Sequence, residues 1–386
     1  MYLDASDERV LAGEFGETPQ KMMEILVALG DVYEAERLIP ITSAQVSGAS
    51  YKTIGEWGLA WLQSLDARVA VPTVLNPIGM PREGWREFGI DEEFARNQAL
   101  VVDAYRSLGI KLECTCTPYY LNITEYGEHL AWSESSAVAY ANSVLGARTN
   151  REGGPSALAA AIVGKTPYYG LHVVANRRPQ VVVEVEEWEG LRADHWGAIG
   201  HVAGGKVGNR IPIFSGIRPN RDHLKALGAA MAATGAVALF HVEGITPEAR
   251  VFSFEVDDLE RVAVTRDEVL GLFEEVEVEA VAVGCPHCSG AELAELADLL
   301  RGKTTTKPFY VFVSRGVAEK HRDLVAVIER SGARIVPDTC MVVSPRMDEF
   351  SSIMVDSGKA FAYVPGMCGA VARIGTREEC VEVATG

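Results

Sequence analysis

Three short cysteine-containing segments carry the residues best suited to chemistry. They read CTCTP at 114–118, CPHCS at 285–289 and DTC at 338–340. Each begins where a strand-like run gives way to turn residues, the runs being Ile110–Leu112, Val278–Val283 and Ala333–Val336. Ligands of α/β proteins bind beyond the carboxyl ends of strands, so three distant thiols can meet in one cleft. This arrangement favours a metal or iron–sulfur centre over a disulfide framework.

The cysteine spacing is compatible with several roles. The pair Cys285 and Cys288 has the CxxC spacing of zinc sites, redox pairs and clusters alike. No second CxxC follows at the spacing of a zinc ribbon, and a single buried cysteine is often only a small apolar residue. Three thiolates on one cluster leave an iron free to act as a Lewis acid. His287, between the pair, could be a ligand, an acid or base, or an ordinary turn residue.

Three further segments have side chains that suit an anionic substrate. Ser47–Lys52 is a turn of small residues that ends in a lysine, although it does not match a P-loop. Thr149–Gly154 places an amide, a cation and a carboxylate ahead of a helix, where free N–H groups and a guanidinium bind anions. Glu134 and Ser135 open another predicted helix, and helix capping is their alternative role. An ordinary solvated turn is the alternative for the other two segments.

The elements that must position these segments alternate between strands, polar loops and helices. This alternation predicts an α/β fold with mostly parallel sheets. The expected division is a first α/β region at 1–245 with an insertion near 180–215, a second α/β unit at 246–345 and a C-terminal segment at 346–386 that packs back on the core. A strand-like run at 361–365 and a terminal helix at 377–384 are predicted within the last segment.

The composition predicts a cytoplasmic globular protein that binds neither nucleic acid nor membranes. The chain has 386 residues, a formal net charge of -17, 48% hydrophobic and 23% charged residues. Nucleic-acid binding needs clustered lysine and arginine, and no stretch reaches the roughly 18 apolar residues of a membrane span. No signal sequence is recognisable. The seven cysteines are an odd number, which favours reduced thiols.

Six motifs occur in a fixed order that spans nearly the whole chain. They are SGASYKTIGEWG, VPTVLNPIGM, CTCTPYY, GEHLAWSESSAVAYANSVLGARTNREGGPSALAAA, GCPHCS and DTCMVVSP. Together they resemble the aconitase X family, and specifically its large catalytic subunit. The resemblance implies an aconitase-like fold of several α/β subdomains around a central cluster cleft, which a swivelling domain closes.

The resemblance also implies a cofactor and its ligands. Matched motif to motif, Cys116, Cys285 and Cys340 would hold an iron–sulfur cluster, expected to be [4Fe–4S] with one iron lacking a protein ligand. Cys114 and Cys288 would then be additional neighbours of the cluster. Gln45 stands where many relatives are expected to have a histidine, and this departure weakens the choice of substrate.

The candidate site residues fall into two groups. The expected catalytic residues are Glu134, Ser135 and His287. The expected substrate contacts are Ser47, Gly48, Ser50, Tyr51, Lys52, Asn76, Asn150, Arg151 and Glu152. The base that removes the substrate proton is expected to be a serine of a small swivelling-domain subunit, because single-chain family members carry that domain and this chain ends without it. The expected assembly is a heterodimer or larger.

The activity that the resemblance implies is that of a hydro-lyase. The first expectation is dehydration of mevalonate 5-phosphate to trans-anhydromevalonate 5-phosphate in archaeal isoprenoid biosynthesis, with iron as the Lewis acid. The separate subunit and the low amide content, 13 Asn and Gln in 386 residues, favour this substrate. The alternatives are dehydration of cis-3-hydroxy-L-proline and, in another class, a non-catalytic iron–sulfur binding or redox-sensing protein.

Overall fold

A computed structural model describes residues 1–121, 124–188, 191–192 and 195–386. Within these ranges, three parallel sheets and one short antiparallel pair, β1 with β6, contain the strands. The predicted α/β class with mostly parallel sheets is confirmed. The strands are β1 (Leu38–Pro40), β2 (Ser43–Val46), β3 (Thr73–Leu75), β4 (Lys111–Cys114), β5 (Leu130–Trp132), β6 (Lys165–Pro167), β7 (Val181–Val185), β8 (Pro212–Ser215), β9 (His241–Val242), β10 (Arg261–Val264), β11 (Ala280–Cys288), β12 (Phe309–Val313), β13 (Arg334–Pro337), β14 (Ser352–Val355) and β15 (Val371–Ile374).

Many of the helices begin at side-chain caps that the sequence makes recognisable. Asp91 accepts two backbone N–H groups ahead of α4, and Ser289 with Glu292 forms a capping box at α11. None of the helices in the described ranges is long and apolar enough to cross a membrane. The α-helices are α1 (Ala5–Leu11), α2 (Glu17–Val32), α3 (Tyr51–Gln63), α4 (Glu92–Ser107), α5 (Ser135–Tyr140), α6 (Gly154–Val163), α7 (His195–Val207), α8 (Arg221–Thr234), α9 (Pro247–Val251), α10 (Arg266–Leu270), α11 (Gly290–Leu300), α12 (Arg315–Lys320), α13 (Arg322–Arg330), α14 (Gly358–Cys368) and α15 (Arg377–Thr385).

The first sheet has the strand order β4-β3-β2-β5, and its three pairings are all parallel. Apolar residues of α2 and α6 pack with this sheet in one core, which includes Leu26, Val46 and Leu158. The carboxyl ends of parallel strands lie at the same edge of a sheet. The candidate segments that follow β2, β3, β4 and β5 therefore emerge together at one edge.

The second sheet has the order β10-β7-β8-β9 and is also parallel throughout. Its core is separate from that of the first sheet and includes Val183 and Phe214. The segment 180–215, predicted as an insertion, supplies β7 and β8, and the predicted boundary after residue 245 falls between β9 and β10 of this one sheet. Glu184 inside β7 and the acidic residues after the strand hid it, because they break the apolar pattern after three valines.

The third sheet has the order β13-β12-β11-β14-β15, again all parallel. The segment 346–386, predicted to pack back on the core, contributes β14 and β15 to this sheet. The strand-like run predicted at 361–365 lies instead inside α14, which the Ser357 hydroxyl caps by accepting from Ala360 N–H at 3.0 Å. A short apolar run does not by its period distinguish a strand from a buried helix.

Arg177 occupies the junction between the first and second sheets. The residue is only 2% exposed, and each of its five N–H groups donates a hydrogen bond. Its Nε donates to Glu248 at 2.7 Å, and the other four N–H groups donate to Asn142, Ala147 and Leu171 at 2.9–3.1 Å. The planar guanidinium therefore fixes the relative position of several loops at once.

Next to Arg177, the buried His172 predicts an acid-sensitive step in stability. Burial, followed by His129 and Arg177, lowers the pKa of His172 from 6.5 to about 3. As pH falls below 6.5, the His172 side chain binds a proton in the unfolded chain but stays neutral in the folded chain. The contribution of His172 to the free energy of unfolding is therefore fully present above pH 6.5 and is lost towards pH 3. We expect H172N to lose about 2 kcal/mol less free energy of unfolding between pH 7 and pH 5 than the parent chain, measured by urea titration. Identical pH dependence in both proteins would contradict this prediction.

Candidate active site and metal centre

The three candidate ligand cysteines line one small cavity between the first and third sheets. Cys116 follows β4, Cys285 lies in the last part of β11 and Cys340 follows β13. The cavity has a volume of about 30 Å³, and its lining residues are Asn76, Pro77, Cys116, Glu134, Gly284, Cys285, His287, Cys340, Met341 and Lys359. The fold thus brings the three thiols together with the predicted residues Asn76, Glu134 and His287.

Backbone contacts between the two sheets bring these cysteines close to one another. The Ile78 N–H donates to the Asp338 carbonyl at 2.9 Å, and the Cys340 N–H donates to the Ile78 carbonyl at 3.0 Å. In addition, the backbone N–H of His287 donates to the Sγ atom of Cys116 at 3.2 Å. These bonds join the turns after β3, β4 and β13 and the last part of β11, so the positions of all three thiols are coupled.

The His287 ring is held by protein groups on both sides. Its Nε2 lies 2.8 Å from the Thr339 carbonyl, which only accepts, so Nε2 carries the proton. Its Nδ1 then accepts from the Thr115 hydroxyl at 3.2 Å. Burial lowers the pKa of His287 to about 4, which keeps the ring neutral. Both ring nitrogens are therefore engaged by the protein. This geometry favours a role in holding the turn of Thr115 next to the turn of Thr339, rather than proton transfer to a substrate.

A buried ion pair between Glu134 and Lys359 forms one wall of the cavity. Glu134 caps α5, accepting from Ala137 N–H at 2.7 Å and from the Ser136 hydroxyl, and Lys359 donates to its other oxygen and to Ser136. Burial alone would raise the pKa of Glu134, but the charge and hydrogen bond of Lys359 lower it below its usual value. Glu134 therefore caps α5 and also lines the cavity. Ser135 begins α5 and is half-buried.

The donor set of this cavity fits an iron–sulfur cluster. Burial raises the pKa of Cys116 to about 12 and that of Cys285 well above its usual value, so these thiolates require a positive group at their centre. Cysteine thiolates are the usual ligands of iron–sulfur clusters. Among the described residues no three His, Cys, Asp or Glu are grouped to hold a metal ion. The Oδ1 of Asn76 is buried with no hydrogen-bond partner in the described ranges, which leaves it available to a ligand.

The Ser47–Lys52 loop lies beside a second cavity, of about 300 Å³. Ser47, Gly48 and Gly154 line this cavity, and Gly48 has a φ of 78°, a backbone conformation that favours glycine. The Ser50 hydroxyl donates to a backbone carbonyl of the loop after β13 at 3.1 Å, and the Tyr51 N–H donates to a glutamine of α4 at 3.1 Å. Ser50 and Tyr51 thus anchor the loop to both sheets.

The two candidate cations near this loop differ in their surroundings. The Nζ atom of Lys52 pairs with Asp348 at 2.6 Å and donates to the Met367 carbonyl at 3.1 Å, so an anion must compete for it. Arg151 is exposed at the turn before α6. Of the two, the Arg151 guanidinium is the more accessible to an anionic group.

Asn150 and Glu152 are buried and bonded within the protein rather than facing the cysteine cavity. Asn150 donates to the Tyr169 carbonyl at 3.2 Å and accepts from the Leu171 N–H at 2.8 Å. Glu152 accepts from the Ser156 hydroxyl at 2.6 Å, and burial raises the pKa of its carboxyl group. In this arrangement both side chains hold the turn that carries Arg151.

Four residues that line the cavity were not among the predicted site residues: Pro77, Gly284, Met341 and Lys359. Lys359 is the second residue of α14, and the start of this helix was obscured by the strand predicted at 361–365. The sequence does contain a signal for this helix, because a serine just ahead of an apolar run is typical of a capped helix start. Met341 directly follows Cys340 and reads as an ordinary core residue.

Comparison with known families decides where this chain belongs. Its three parts match descriptions of the aconitase X first, second and third domains at residues 1–175, 179–274 and 278–386. The chain belongs to the aconitase X family. The aconitase X second domain coincides with the second sheet and the third domain with the third sheet, a division different from the predicted ranges 1–245, 246–345 and 346–386.

Individual aconitase X relatives cover the chain from end to end. The phosphomevalonate dehydratase large subunit of Methanosarcina mazei is 54% identical, covering 100% of this chain and 98% of that protein. The cis-3-hydroxy-L-proline dehydratase of Pseudomonas aeruginosa is 34% identical, covering 100% of this chain and 70% of that protein. The crystal structure of Thermococcus kodakaraensis aconitase X (holo-form) has a TM-score of 0.92, with 44% identity and full coverage of both chains.

Proposed function

We propose that this chain is the large subunit of a hydro-lyase that dehydrates mevalonate 5-phosphate to trans-anhydromevalonate 5-phosphate. The observation that carries the proposal is the cavity in which Cys116, Cys285 and Cys340 meet the Glu134–Lys359 pair. The choice of substrate is supported by relatives of 43–54% identity that are named phosphomevalonate dehydratase large subunit.

The proposed cofactor is a [4Fe–4S] cluster held by the three cysteines, with one iron lacking a protein ligand. When bound, it supplies a Lewis acid that polarises a substrate hydroxyl at neutral pH. Burial raises the pKa of all three thiols, so each cysteine must lose a proton when the cluster binds. Cluster binding is therefore coupled to proton release.

The residues of this chain would hold the substrate for elimination. Lys359 has three N–H donors, and Glu134 and Ser136 accept two of them among the described residues, which leaves one for a substrate carboxylate. The unpartnered Asn76 Oδ1 can accept from a substrate hydroxyl. Holding both groups in place makes loss of the C2 proton and of the 3-hydroxyl an effectively intramolecular step.

The second component of the proposed enzyme is a small swivelling-domain subunit that supplies a serine as the base. The relatives' name, large subunit, implies a small partner. The chain matches 98% of the Methanosarcina mazei large subunit and 70% of the longer Pseudomonas relative. The isolated chain should therefore hold the cluster but not turn over substrate.

The decisive experiment is anaerobic reconstitution with the small subunit, followed by product analysis. Mevalonate 5-phosphate should be dehydrated only when both subunits are present. Full turnover by the isolated chain would refute the partner-supplied base. Turnover of cis-3-hydroxy-L-proline in place of mevalonate 5-phosphate would favour the alternative substrate, which the 34% identical Pseudomonas enzyme supports.

Arg151→Ala separates a dehydratase from a non-catalytic cluster-binding protein. The exposed guanidinium stands at the turn beside the Ser47 loop, where it can form charged hydrogen bonds with an anionic substrate. We expect kcat/KM to fall about 10- to 100-fold while the visible absorbance of the cluster is unchanged. Arg178→Ala, at an exposed arginine after the first domain, is the control and should leave kcat/KM unchanged. Equal activity of R151A and R178A would remove Arg151 from the substrate site.

A further inference from the structure

The pairing of β11 with β12 is irregular between Val283 and Cys288, and the chain from Gly284 to Ser289 is named the Cys285 turn for that reason. The Cys285 turn is held from all three domains. From the first domain, Cys116 Sγ accepts a hydrogen bond from the His287 N–H, and the Thr115 hydroxyl forms a hydrogen bond with the His287 ring. From the third, the Asp356 carboxylate accepts from the Gly284 N–H at 3.3 Å. The remaining support comes from the second domain, which contributes no residue to the lining of the cysteine cavity.

Two side chains of α8 provide that support: Asp222, whose carboxylate accepts from the Ser289 hydroxyl at 3.3 Å, and Lys225, which is only 3% exposed. Of the two, Lys225 carries the buried charge. Its ammonium group forms an ion pair with Glu292 of α11 and donates to the His287 carbonyl at 3.4 Å. Burying an ammonium group in an apolar region is costly unless it is paired and hydrogen-bonded. Both of its contacts lie on the turn or on the helix that follows it.

Glu292 extends the contact of Lys225 to both ends of the turn. One carboxylate oxygen accepts from the Ser289 N–H at 2.7 Å in addition to Lys225, and the other accepts from Arg377 at 2.8 Å. Arg377 in turn donates to Asp356 at 3.2 Å, the residue that holds Gly284. A continuous chain of charges therefore runs from α8 to the first and last residues of the turn.

We propose that Lys225 is a positioning residue, which holds the Cys285 turn in the geometry that a cluster requires. It acts through the His287 carbonyl and through Glu292, without touching substrate or cluster. This role rests on the proposed cluster, but the order of the turn itself does not. The two ideas can therefore fail separately.

The first test measures hydrogen exchange of residues 284–289 by mass spectrometry on the full chain without added iron. K225M leaves Glu292 without this partner, while K225M/E292Q removes both charges and should recover most of the lost thermal stability. Exchange at the turn should be about 10-fold faster in both variants, because methionine cannot donate to the His287 carbonyl. E248Q is the matched control, since it disturbs the equally buried pair with Arg177 at another junction.

Unchanged exchange at the turn in K225M/E292Q, or an equal acceleration in E248Q, would overturn the positioning role. The second test follows cluster absorbance of the reconstituted protein in the presence of a chelator. The double variant should lose its cluster about 10-fold faster than the parent chain and E248Q, and equal rates would also overturn the proposal. If the parent chain takes up no cluster, the proposed cofactor fails, while the exchange result still decides the role of Lys225.

Discussion

Cys285→Ala is expected to abolish cluster binding and to lower kcat/KM of the reconstituted enzyme by at least about 10³-fold, or about 4 kcal/mol of transition-state stabilisation. Cys285 is one of only three cysteines that line the cavity in the described ranges. A cluster that already lacks one protein ligand cannot lose a second without losing its main attachment. Ultraviolet–visible absorbance and iron content after anaerobic reconstitution measure the first effect, and product formation measures the second.

Cys114→Ala is the matched control for this experiment. Cys114 is at least as buried as the three proposed ligands and only two residues from Cys116. It belongs to the core of the first sheet and does not line the cavity. The control variant should retain its iron content and most of its activity. If C114A lost the cluster and C285A kept it, the ligand assignment would be wrong.

Lys359→Met is expected to impair both stability and activity. It leaves the buried Glu134 carboxylate without its cation, and removal of one partner of a buried pair costs about 3–5 kcal/mol. It also removes the donor that we assign to the substrate carboxylate. We expect a lower midpoint in urea unfolding, and in the folded fraction a kcat/KM reduced by about 100-fold or more.

The double variant E134Q/K359M distinguishes these two effects. Neutralising both partners leaves no uncompensated charge, so most of the lost free energy of unfolding should return. Activity should remain low, because the substrate donor is still absent. Recovery of activity together with stability would mean that Lys359 only balances Glu134 and does not contact substrate.

The position of the cysteines at the ends of strands was predictable from local pattern. Cys116 and Cys340 each follow a strand-like run, and parallel strands deliver their carboxyl ends to one edge. The sequence could not show how the edges of the first and third sheets face each other. That relation depends on single long-range contacts, such as the bond between the Cys340 N–H and the Ile78 carbonyl.

Residue roles were less predictable than residue positions. Asn150 and Glu152 look like an anion site because polar side chains precede a helix, yet both are buried among protein partners. Lys359 looked like part of no site, because its pairing with Glu134 spans 225 positions. The predicted division after residue 245 separates β7 from β10, which pair with each other, and no local pattern shows a pairing between such distant segments.

The five hydrogen bonds of Arg177 bear on how substrate reaches the cavity. This arginine lies in the three-residue connector between the first domain, which ends at 175, and the second, which begins at 179. Rotation about that connector would break a buried ion pair and strand a charge, so the connector is a poor hinge. A route for substrate entry and product exit that relied on these two domains swinging apart would be strongly opposed. Under the proposed assembly, the moving wall of the active site belongs to the partner subunit.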